Sequence, residues 1–290
     1  MLEAVPNVSE GRDAEMIAAI GAAFSTSAQL LDVHSDPDHH RSVYTLAGEA
    51  DDLTTALLAG IATACSLIDL RRHEGVHPRV GAADVVPIVA LGPEDAAEAV
   101  VVALGLAARV GEELGLPVFL YGDVGAGRRP AFFRRGGLEE LERRLAAGEI
   151  APDFGPDRID ARSGAVLVGA RKPLVAYNLD LETIDVAIAE AIAAAVRESS
   201  GGLPGVQAIG LVLPRSGRVQ VSMNVIDVEQ SPVHVVVGAV RREASARSTL
   251  VTGGELVGLV PASVLEAARE AGEEIPGVDE SHVLERRLGL

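Results

Sequence analysis

The sequence contains very little cysteine and lysine. Cys65 is the only cysteine, which excludes an intrachain disulfide framework, and no cysteine and histidine cluster has zinc-finger spacing. Lys172 is the only lysine, so arginine carries nearly all of the positive charge. An arginine-rich composition is typical of GC-rich coding, and guanidinium groups also suit bidentate recognition of carboxylates. Both explanations stay open, and the cysteine content favours a reducing cytoplasm.

Long hydrophobic runs are also missing. The most apolar stretches are interrupted before the roughly 18 residues that a membrane-spanning helix needs. Asp185 and Glu190, for example, interrupt the stretch at 184–196, and proline and acidic residues end the stretch that begins at Val85. The first residues lack the basic and apolar regions of a signal peptide. We therefore expect a soluble cytoplasmic protein with no membrane partner.

The chain has fewer basic than acidic side chains. The chain has 42 acidic and 25 basic side chains and a formal net charge of -17, which argues against broad binding of nucleic-acid phosphates. A few converging arginines can still form a local positive pocket that the total charge conceals. With 290 residues, 48% of them hydrophobic, the chain can bury a large core. The charge balance therefore argues against long polyanions as partners but not against small anions.

The hydrophobic periodicity predicts the element order β-α-β-β-α-β twice. In the first half, strands are expected at 2–5, 29–33, 42–47, 84–89 and 118–121, and helices at 13–24, 51–70, 94–114 and 138–147. In the second half, strands are expected at 174–179, 206–213, 219–226 and 255–260, and helices at 181–198, 233–246 and 261–271. The prediction is an α+β protein with two ferredoxin-like (βαββαβ) subdomains, 1–170 and 171–290. Their sheets would face each other across a ligand cleft, with a polar, peripheral tail from residue 272.

One segment places three chemically useful side chains close together. His77, Arg79 and Asp84 lie within eight residues, between a predicted helix and a predicted strand. Histidine titrates near pH ~6.5 and can take and return a proton at cellular pH. His77 is therefore a candidate acid–base residue. The alternative is a structural histidine that caps the helix or bonds a loop carbonyl.

A histidine-rich turn separates two predicted strands. Its composition resembles that of a metal site, but adjacent ligands in one turn rarely converge on a single ion. We therefore predict a solvated turn or the polar rim of a substrate pocket, and no metal. The residues are His34, His39 and His40, with Asp32, Asp36 and Asp38 among them.

Two further segments are polar and lie next to predicted elements. Asn7, Ser9, Glu10 and Arg12 lead from a strand into a helix, where they can cap the backbone or face an anionic ligand. Residues 151–164 show neither the helical nor the strand periodicity of apolar residues. A loop of this length is usually functional or a linker. The glycines at 122–127 match no nucleotide-binding fingerprint and are interpreted as a turn.

Seven segments of the chain form one ordered set of motifs. They are Val5-Pro6-Asn7-Val8-Ser9-Glu10-Gly11, His77-Pro78-Arg79-Val80-Gly81-Ala82-Ala83-Asp84-Val85, Pro117-Val118-Phe119-Leu120-Tyr121-Gly122, Ala151-Pro152-Asp153-Phe154-Gly155-Pro156, Gly169-Ala170-Arg171-Lys172-Pro173, Val206-Gln207-Ala208-Ile209-Gly210 and Leu256-Val257-Gly258-Leu259-Val260-Pro261. Together they resemble one family, the glutamate formimidoyltransferases, in the family's order and over nearly the whole chain. The resemblance implies transfer of a formimidoyl group from N-formimidoyl-L-glutamate to N5 of tetrahydrofolate, which yields L-glutamate in histidine degradation. It also implies tetrahydrofolate as co-substrate, no metal, and a homodimer.

The resemblance also assigns roles to residues. His77 matches the family's catalytic histidine, and Arg79 and Asp84 are expected to position it or balance its charge. The reaction needs a group that removes a proton from N5 and protonates the departing glutamate nitrogen. Arginines 12, 41 and 79 are expected to anchor carboxylates. The predicted substrate and folate contacts are Asn7, Ser9, Glu10, Arg12, His34, Arg41, Tyr121, Gly155, Pro156, Gly164, Asn178 and Asn224.

The chain departs from the family pattern at three places. Val76 and His34 stand where family members often carry carboxylates, and residues 161–164 lack a family aromatic. These changes would alter the pKa of His77 and weaken stacking on a pterin. They leave two alternatives open. One is a related folate enzyme with another donor, formimidoyl-glycine or 5-formyltetrahydrofolate, and the other is a non-catalytic folate-binding protein.

Overall fold

The computed structural model describes all residues, 1–290, which form two compact units. The first unit is Met1–Lys172 and the second is Pro173–Leu290. The predicted boundary at residue 170 lies two residues before this division. Each unit contains its own sheet and helices, so the predicted α+β class with two α/β subdomains is confirmed. None of the helices has both the length and the apolar character needed to cross a membrane.

A seven-stranded sheet forms the centre of the first unit. Its strands are β1 (Leu2–Ala4), β2 (Asn7–Val8), β3 (Gln29–Asp36), β4 (Arg41–Gly48), β5 (Ala83–Ala90), β6 (Val118–Gly122) and β7 (Val166–Arg171). The short strands β1 and β2 lie one after the other in the same position of the sheet, and both pair with β4 on one side and β5 on the other. β3 pairs with the opposite edge of β4. β7 and then β6 continue the sheet beyond β5 in parallel pairs, whereas all other pairs are antiparallel.

Helices cover this sheet unequally. The long helices α1 (Ala14–Phe24), α2 (Ala50–Leu67) and α3 (Ala96–Glu113) share one large core with the sheet. The short helices α4 (Pro130–Arg134) and α5 (Gly137–Ala146) contribute to a second cluster, in which their side chains pack with those of β5, β6 and β7. The sequence did not predict α4 or β7. The predicted four-stranded ferredoxin-like unit therefore does not account for this seven-stranded sheet.

The glycine in the middle of α2 provides a test of this packing. A Cβ atom at Gly60 would overlap the ring of Phe24, whereas Gly105 in α3 has open space around it. We expect Gly60→Ala to lower the free energy of unfolding by about 1–3 kcal/mol through overpacking. Gly105→Ala, the matched control, should raise it by about 0.5–1 kcal/mol because alanine favours helix. Urea denaturation measures both, and a stabilising Gly60→Ala would contradict the packing.

The second unit has the predicted element order β-α-β-β-α-β. Its elements are β8 (Val175–Leu181), α6 (Val186–Val196), β9 (Val206–Leu213), β10 (Arg218–Val225), α7 (Val233–Ala246) and β11 (Val251–Val257). The sheet has the order β11-β8-β10-β9, and every pair is antiparallel. α7 is helical despite its β-branched run because Val236, Val237 and Val240 are buried in the core. Burial of an apolar face outweighs the weak helix propensity of valine.

The prediction of a polar, peripheral tail is wrong. After α8 (Ala262–Glu270), the side chains of Ile275 and Val283 are buried in the core of the second unit. The amide of Val260 donates to the carbonyl of His282, and the amide of Leu284, the first residue of α9 (Leu284–Leu288), donates to Val260. The few apolar residues of this tail have no periodic spacing, so the sequence pattern did not reveal their burial.

Candidate active site

An irregularity in β5 determines where the carboxylate of Asp84 lies. Asn7 pairs with Val85 and Val8 pairs with Ala83, so Asp84 is an extra residue in its strand. Such a β-bulge bends the strand locally and redirects a side chain, and bulges are frequent beside active sites. Asp84 is completely buried. A buried carboxylate must have charged or hydrogen-bonding partners to remain ionised.

Two arginines supply the partners of Asp84. Nη1 of Arg41 donates to its Oδ2 at 2.7 Å, and Nη2 of Arg134 donates to the same oxygen. The amide of Val80 donates to Oδ1 at 2.8 Å. Burial alone would raise the pKa of Asp84, but Arg134, Arg41 and the Val80 amide hold it well below its usual range. The cluster carries two cations and one anion, and its excess positive charge suits an anionic substrate.

Arg41 also connects this cluster to the N-terminal strand and to His77. Its Nε donates to Oδ1 of Asn7 at 2.9 Å, and its Nη1 lies 3.3 Å from Nδ1 of His77. Burial and the neighbouring Arg134 lower the pKa of Arg41 to about 10, so it stays cationic at neutral pH. The structure therefore brings together four predicted site residues: Asn7, Arg41, His77 and Asp84.

The surroundings of His77 determine which nitrogen carries the proton. Nδ1 lies 2.7 Å from the carbonyl oxygen of Pro78. A carbonyl can only accept, whereas Nη1 of Arg41, 3.3 Å from the same nitrogen, can only donate. The Pro78 contact is the shorter of the two, so we assign the proton to Nδ1, and Nε2 keeps its lone pair. Burial, together with the charges of Arg41 and Arg134, lowers the pKa of His77 well below its ordinary value. His77 is therefore a neutral imidazole at neutral pH, as a general base must be.

The guanidinium of Arg79 is bonded within its own segment. Nη2 donates to the carbonyls of Gly75 at 2.8 Å and His77 at 2.6 Å, and Nη1 contacts Nδ1 of His73. Asp84 accepts from Arg41, Arg134 and Val80, and not from His77 or Arg79. Arg79 thus orders the segment that carries His77, whereas Asp84 binds Arg41, the neighbour of His77.

The predicted residues at the start of α1 bond mainly to their own chain. The buried hydroxyl of Ser9 donates to the carbonyl of Gly81 at 2.7 Å, and Nε of Arg12 donates to the carbonyl of Pro37 at 2.9 Å. Oε1 of Glu10 accepts from the amide of Arg12 at 2.7 Å and from Nε2 of His40 at 3.1 Å. Burial alone would raise the pKa of Glu10, but these hydrogen bonds lower it to about 2.

Other predicted contacts in the first unit are positioned by backbone geometry. Gly155 and Gly164 have φ values of 81° and 75°, and a Cβ on either would overlap a neighbouring carbonyl oxygen. Only glycine fits such positions without strain. Pro156 follows in the same loop and is half-buried. Tyr121 is buried on β6, where burial raises its pKa to about 12, and it lies opposite Gly169 of β7.

The remaining predicted contacts lie on polar sheet faces. His34 on β3 pairs with Val43 on β4, and Asp36 pairs with Arg41 two positions further along. Because residues two positions apart in a strand lie on the same face, His34 and Arg41 share a face of the sheet. In the second unit, Asn178 and Asn224 alternate with buried core residues and therefore lie on the face opposite the helices. No group of three or more histidine, cysteine, aspartate or glutamate side chains is arranged to hold a metal ion.

Sequence reasoning missed Arg134. It lies in the five-residue helix α4, in an arginine-rich segment with Arg128, Arg129 and Arg135. Nothing in the sequence distinguishes it from these neighbours. Its Nε is buried and has no hydrogen-bond partner.

These observations define a class of protein: an α+β protein that holds a neutral histidine beside a buried cluster of two arginines and one aspartate. Comparison with known proteins agrees. The family model "Formiminotransferase domain, N-terminal subdomain" matches residues 1–171, and "Formiminotransferase domain" matches residues 176–273. The chain belongs to the formiminotransferase family, and the resemblance found in its sequence is confirmed.

Individual relatives are similar over the full length of the chain. It is 38% identical to a glutamate formimidoyltransferase of Thermoplasma acidophilum, over 99% of this chain and 97% of the relative. It is 35% identical to a protein of the same name from Streptococcus pyogenes, over 99% of this chain and 98% of the relative. A formimidoyltransferase-cyclodeaminase of Sus scrofa is 41% identical over 91% of this chain, which covers 51% of that protein.

Proposed function

We propose that this protein is a glutamate formimidoyltransferase. It transfers the formimidoyl group of N-formimidoyl-L-glutamate to N5 of tetrahydrofolate and releases L-glutamate, a step of histidine degradation. The observation that carries the proposal is the state of His77: Nδ1 is bonded to the Pro78 carbonyl at 2.7 Å, and the neutral ring keeps its lone pair on Nε2. Membership of the formiminotransferase family supports the substrate assignment.

The positive cluster suits the donor substrate. N-formimidoyl-L-glutamate carries two carboxylates, and guanidinium groups bind carboxylates with directed, charge-assisted hydrogen bonds. Arg134 has a buried Nε without a partner, and Arg41 is already oriented by Asp84 and Asn7. We assign carboxylate binding to Arg134 and Arg41, with Arg12 as a further anchor at the start of α1.

Tetrahydrofolate supplies the amine that accepts the group. Its pterin ring has alternating donors and acceptors, and side-chain amides offer both. In the second unit, Asn178 and Asn224 lie on the polar sheet face, and the fully buried Gln220 has an Oε1 atom without a partner. These amides fit such a ligand. We assign folate binding to the loop that contains Gly155, Pro156 and Gly164, and the asparagines of the second unit stay predicted contacts.

His77 performs the proton transfers. Its Nε2 takes a proton from the attacking amine and then gives it to the departing glutamate nitrogen. A histidine with a lowered pKa is a strong acid once protonated, because the nearby Arg41 and Arg134 disfavour the imidazolium. The hydrogen bond from Nδ1 to Pro78 holds the ring in one tautomer throughout. Bringing both substrates to this base supplies further rate enhancement through proximity.

The test is an assay of the purified protein with tetrahydrofolate and three separate donors. N-formimidoyl-L-glutamate should release glutamate and form 5-formimidoyltetrahydrofolate, whereas formimidoyl-glycine and 5-formyltetrahydrofolate should react poorly. Preference for another donor would contradict the substrate and would make Val76 and His34 candidate determinants of donor choice. Folate binding without turnover of any donor would identify a non-catalytic binding protein.

The lowered pKa of His77 predicts an unusual pH profile. The base form is active, so kcat/KM should decline only when the pH falls through the pKa of His77 in the folded enzyme. Because that pKa lies well below 6.5, kcat/KM should remain nearly constant as the pH is lowered through 6.5. Initial rates between pH 5 and pH 8 measure the profile. A half-maximal point at pH ~6.5 or above would contradict the proposed surroundings of His77.

We further propose that the protein acts as a homodimer in the cytoplasm, with small-molecule partners and no nucleic acid. The net charge of -17 supports the exclusion of nucleic acid. Light scattering coupled to size exclusion measures the mass in solution. A mass of twice 30.0 kDa is expected, and 30.0 kDa would contradict the dimer.

A further inference from the structure

Two histidines that the proposed chemistry does not use lie stacked beside the candidate active site. The rings of His40 and His73 have centroids 3.9 Å apart and planes inclined by 19°. His40 lies between β3 and β4 with a positive φ of 50°, and His73 ends the short helical turn Leu70–Arg72 after α2. The stack therefore joins two segments that are more than thirty residues apart in sequence.

The hydrogen-bond partners of the two rings differ. Nδ1 of His40 lies 2.9 Å from the carbonyl of Glu74, and Nε2 lies 3.1 Å from Oε1 of Glu10. Both partners are hydrogen-bond acceptors. His73 has one acceptor, the carbonyl of His40 at 2.9 Å from Nε2, and one donor, Arg79 at Nδ1. A neutral ring satisfies both, and burial and Arg79 lower the pKa of His73 to about 4.

The stack is continuous with the segment that carries His77. Arg79 contacts His73 with Nη1, and its Nη2 donates to the carbonyls of Gly75 and His77. The amide of Val76 donates to the carbonyl of Asp38 at 3.2 Å. The segment lies very close to the turn, because a Cβ on Gly75 would be 2.8 Å from the Cβ of His40. Residues 74–79 are thus bonded along their length to the turn and to His73.

We propose that His40 and His73 are positioning residues for His77. We call Glu10, His40, His73 and Arg79 the histidine clamp. The clamp fixes the backbone of residues 74–79, and this holds the Pro78 carbonyl opposite Nδ1 of His77 and leaves Nε2 as the base. The kinetic part of this inference rests on the proposed function, but the tautomer of His77 can be measured without turnover.

The experiment compares His73→Leu, His73→Gln and the control Glu74→Gln. Leucine keeps bulk but removes both hydrogen bonds, whereas glutamine can donate to the His40 carbonyl and accept from Arg79. The side chain of Glu74 is exposed, and the residue contacts the clamp only through its backbone carbonyl, which Glu74→Gln leaves in place. The measurements are kcat and KM for both substrates, and the tautomer of His77 from long-range proton–nitrogen NMR spectra of the imidazoles at pH 7.5.

For His73→Leu we expect kcat to fall by about 10- to 100-fold, because small displacements of a catalytic group cost this much. KM should change less than about threefold, since the substrate-binding groups remain. The His77 spectrum should change from the Nδ1–H form to a mixture rich in Nε2–H. His73→Gln should keep kcat within about threefold of the wild type and preserve the Nδ1–H signal, and Glu74→Gln should match the wild type.

Two results would overturn the inference: an unchanged kcat and tautomer in His73→Leu, or equal losses in His73→Leu and His73→Gln. If circular dichroism shows that His73→Leu does not fold, the Nδ1–H signal of His77 in His73→Gln and in Glu10→Gln tests the inference instead. The Nδ1–H signal of His77 should persist in His73→Gln. It should weaken in Glu10→Gln, because that substitution removes the charge of the residue that binds His40. A signal that weakens in His73→Gln and persists in Glu10→Gln would overturn the clamp. If the wild type transfers no formimidoyl group, the proposed function fails, and the tautomer comparison still tests the clamp.

Discussion

His77→Ala is expected to remove nearly all formimidoyl transfer, lowering kcat by about 10²- to 10⁴-fold, the usual contribution of a general acid–base residue. Nδ1 of His77 lies 3.3 Å from Nη1 of Arg41, beside the charged cluster, and water cannot exchange the two protons from a fixed position. Folate affinity should stay within about tenfold, or roughly 1.4 kcal/mol, because the assigned folate contacts are unaffected. Initial rates and a fluorescence titration with tetrahydrofolate measure the two quantities.

A histidine in the second unit serves as the control. His282 bonds to Asp279 at 3.0 Å, and His282→Ala should keep the wild-type kcat. Added imidazole should restore part of the activity of His77→Ala by entering the space of the missing ring, with no effect on His282→Ala. Full activity in His77→Ala would show that another group moves the protons, and a parallel loss of folate binding would point to a structural role.

Asp84→Asn is expected to lower the free energy of unfolding by about 3–5 kcal/mol, the usual cost of breaking a buried ion pair. The asparagine side chain has nearly the same shape but no charge, so Arg41 and Arg134 would be left as adjacent cations, with side chains only 10% and 14% exposed. Their repulsion would also displace Arg41 from His77 and lower kcat. Urea denaturation at pH 7 measures the change in stability.

The exposed ion pair between Arg109 and Glu113 provides the matched control. Glu113→Gln should leave the denaturation curve nearly unchanged, since solvent screens such pairs. The pH dependence gives a second check. The pKa of Asp84 is lowered in the folded state, so its stabilisation is present above the unfolded pKa of ~3.9 and is lost as the pH falls below it. Equal stability of Asp84→Asn and wild type at pH 7 would contradict the role of this carboxylate.

The prediction succeeded where the signal is local and periodic. The helices and strands of the second unit repeat apolar residues at regular intervals, and their order was correct from the sequence. It failed for α4, which has only five residues, and for β7, whose six residues pair in parallel with distant strands. It also failed for the C-terminal tail, where isolated apolar residues such as Ile275 are buried by contacts far away in sequence.

The sequence by itself determined the family and the two-unit α+β architecture and predicted His77 as the base, because motifs and periodicity are properties of neighbouring residues. Only the tertiary structure decided the chemical state of that base. The lowered pKa of His77 depends on burial, on Arg41, which is 36 residues away, and on Arg134, which reaches Asp84 across 50 residues. Desolvation and charge act through space, so no local pattern records which of many arginines will converge on one carboxylate.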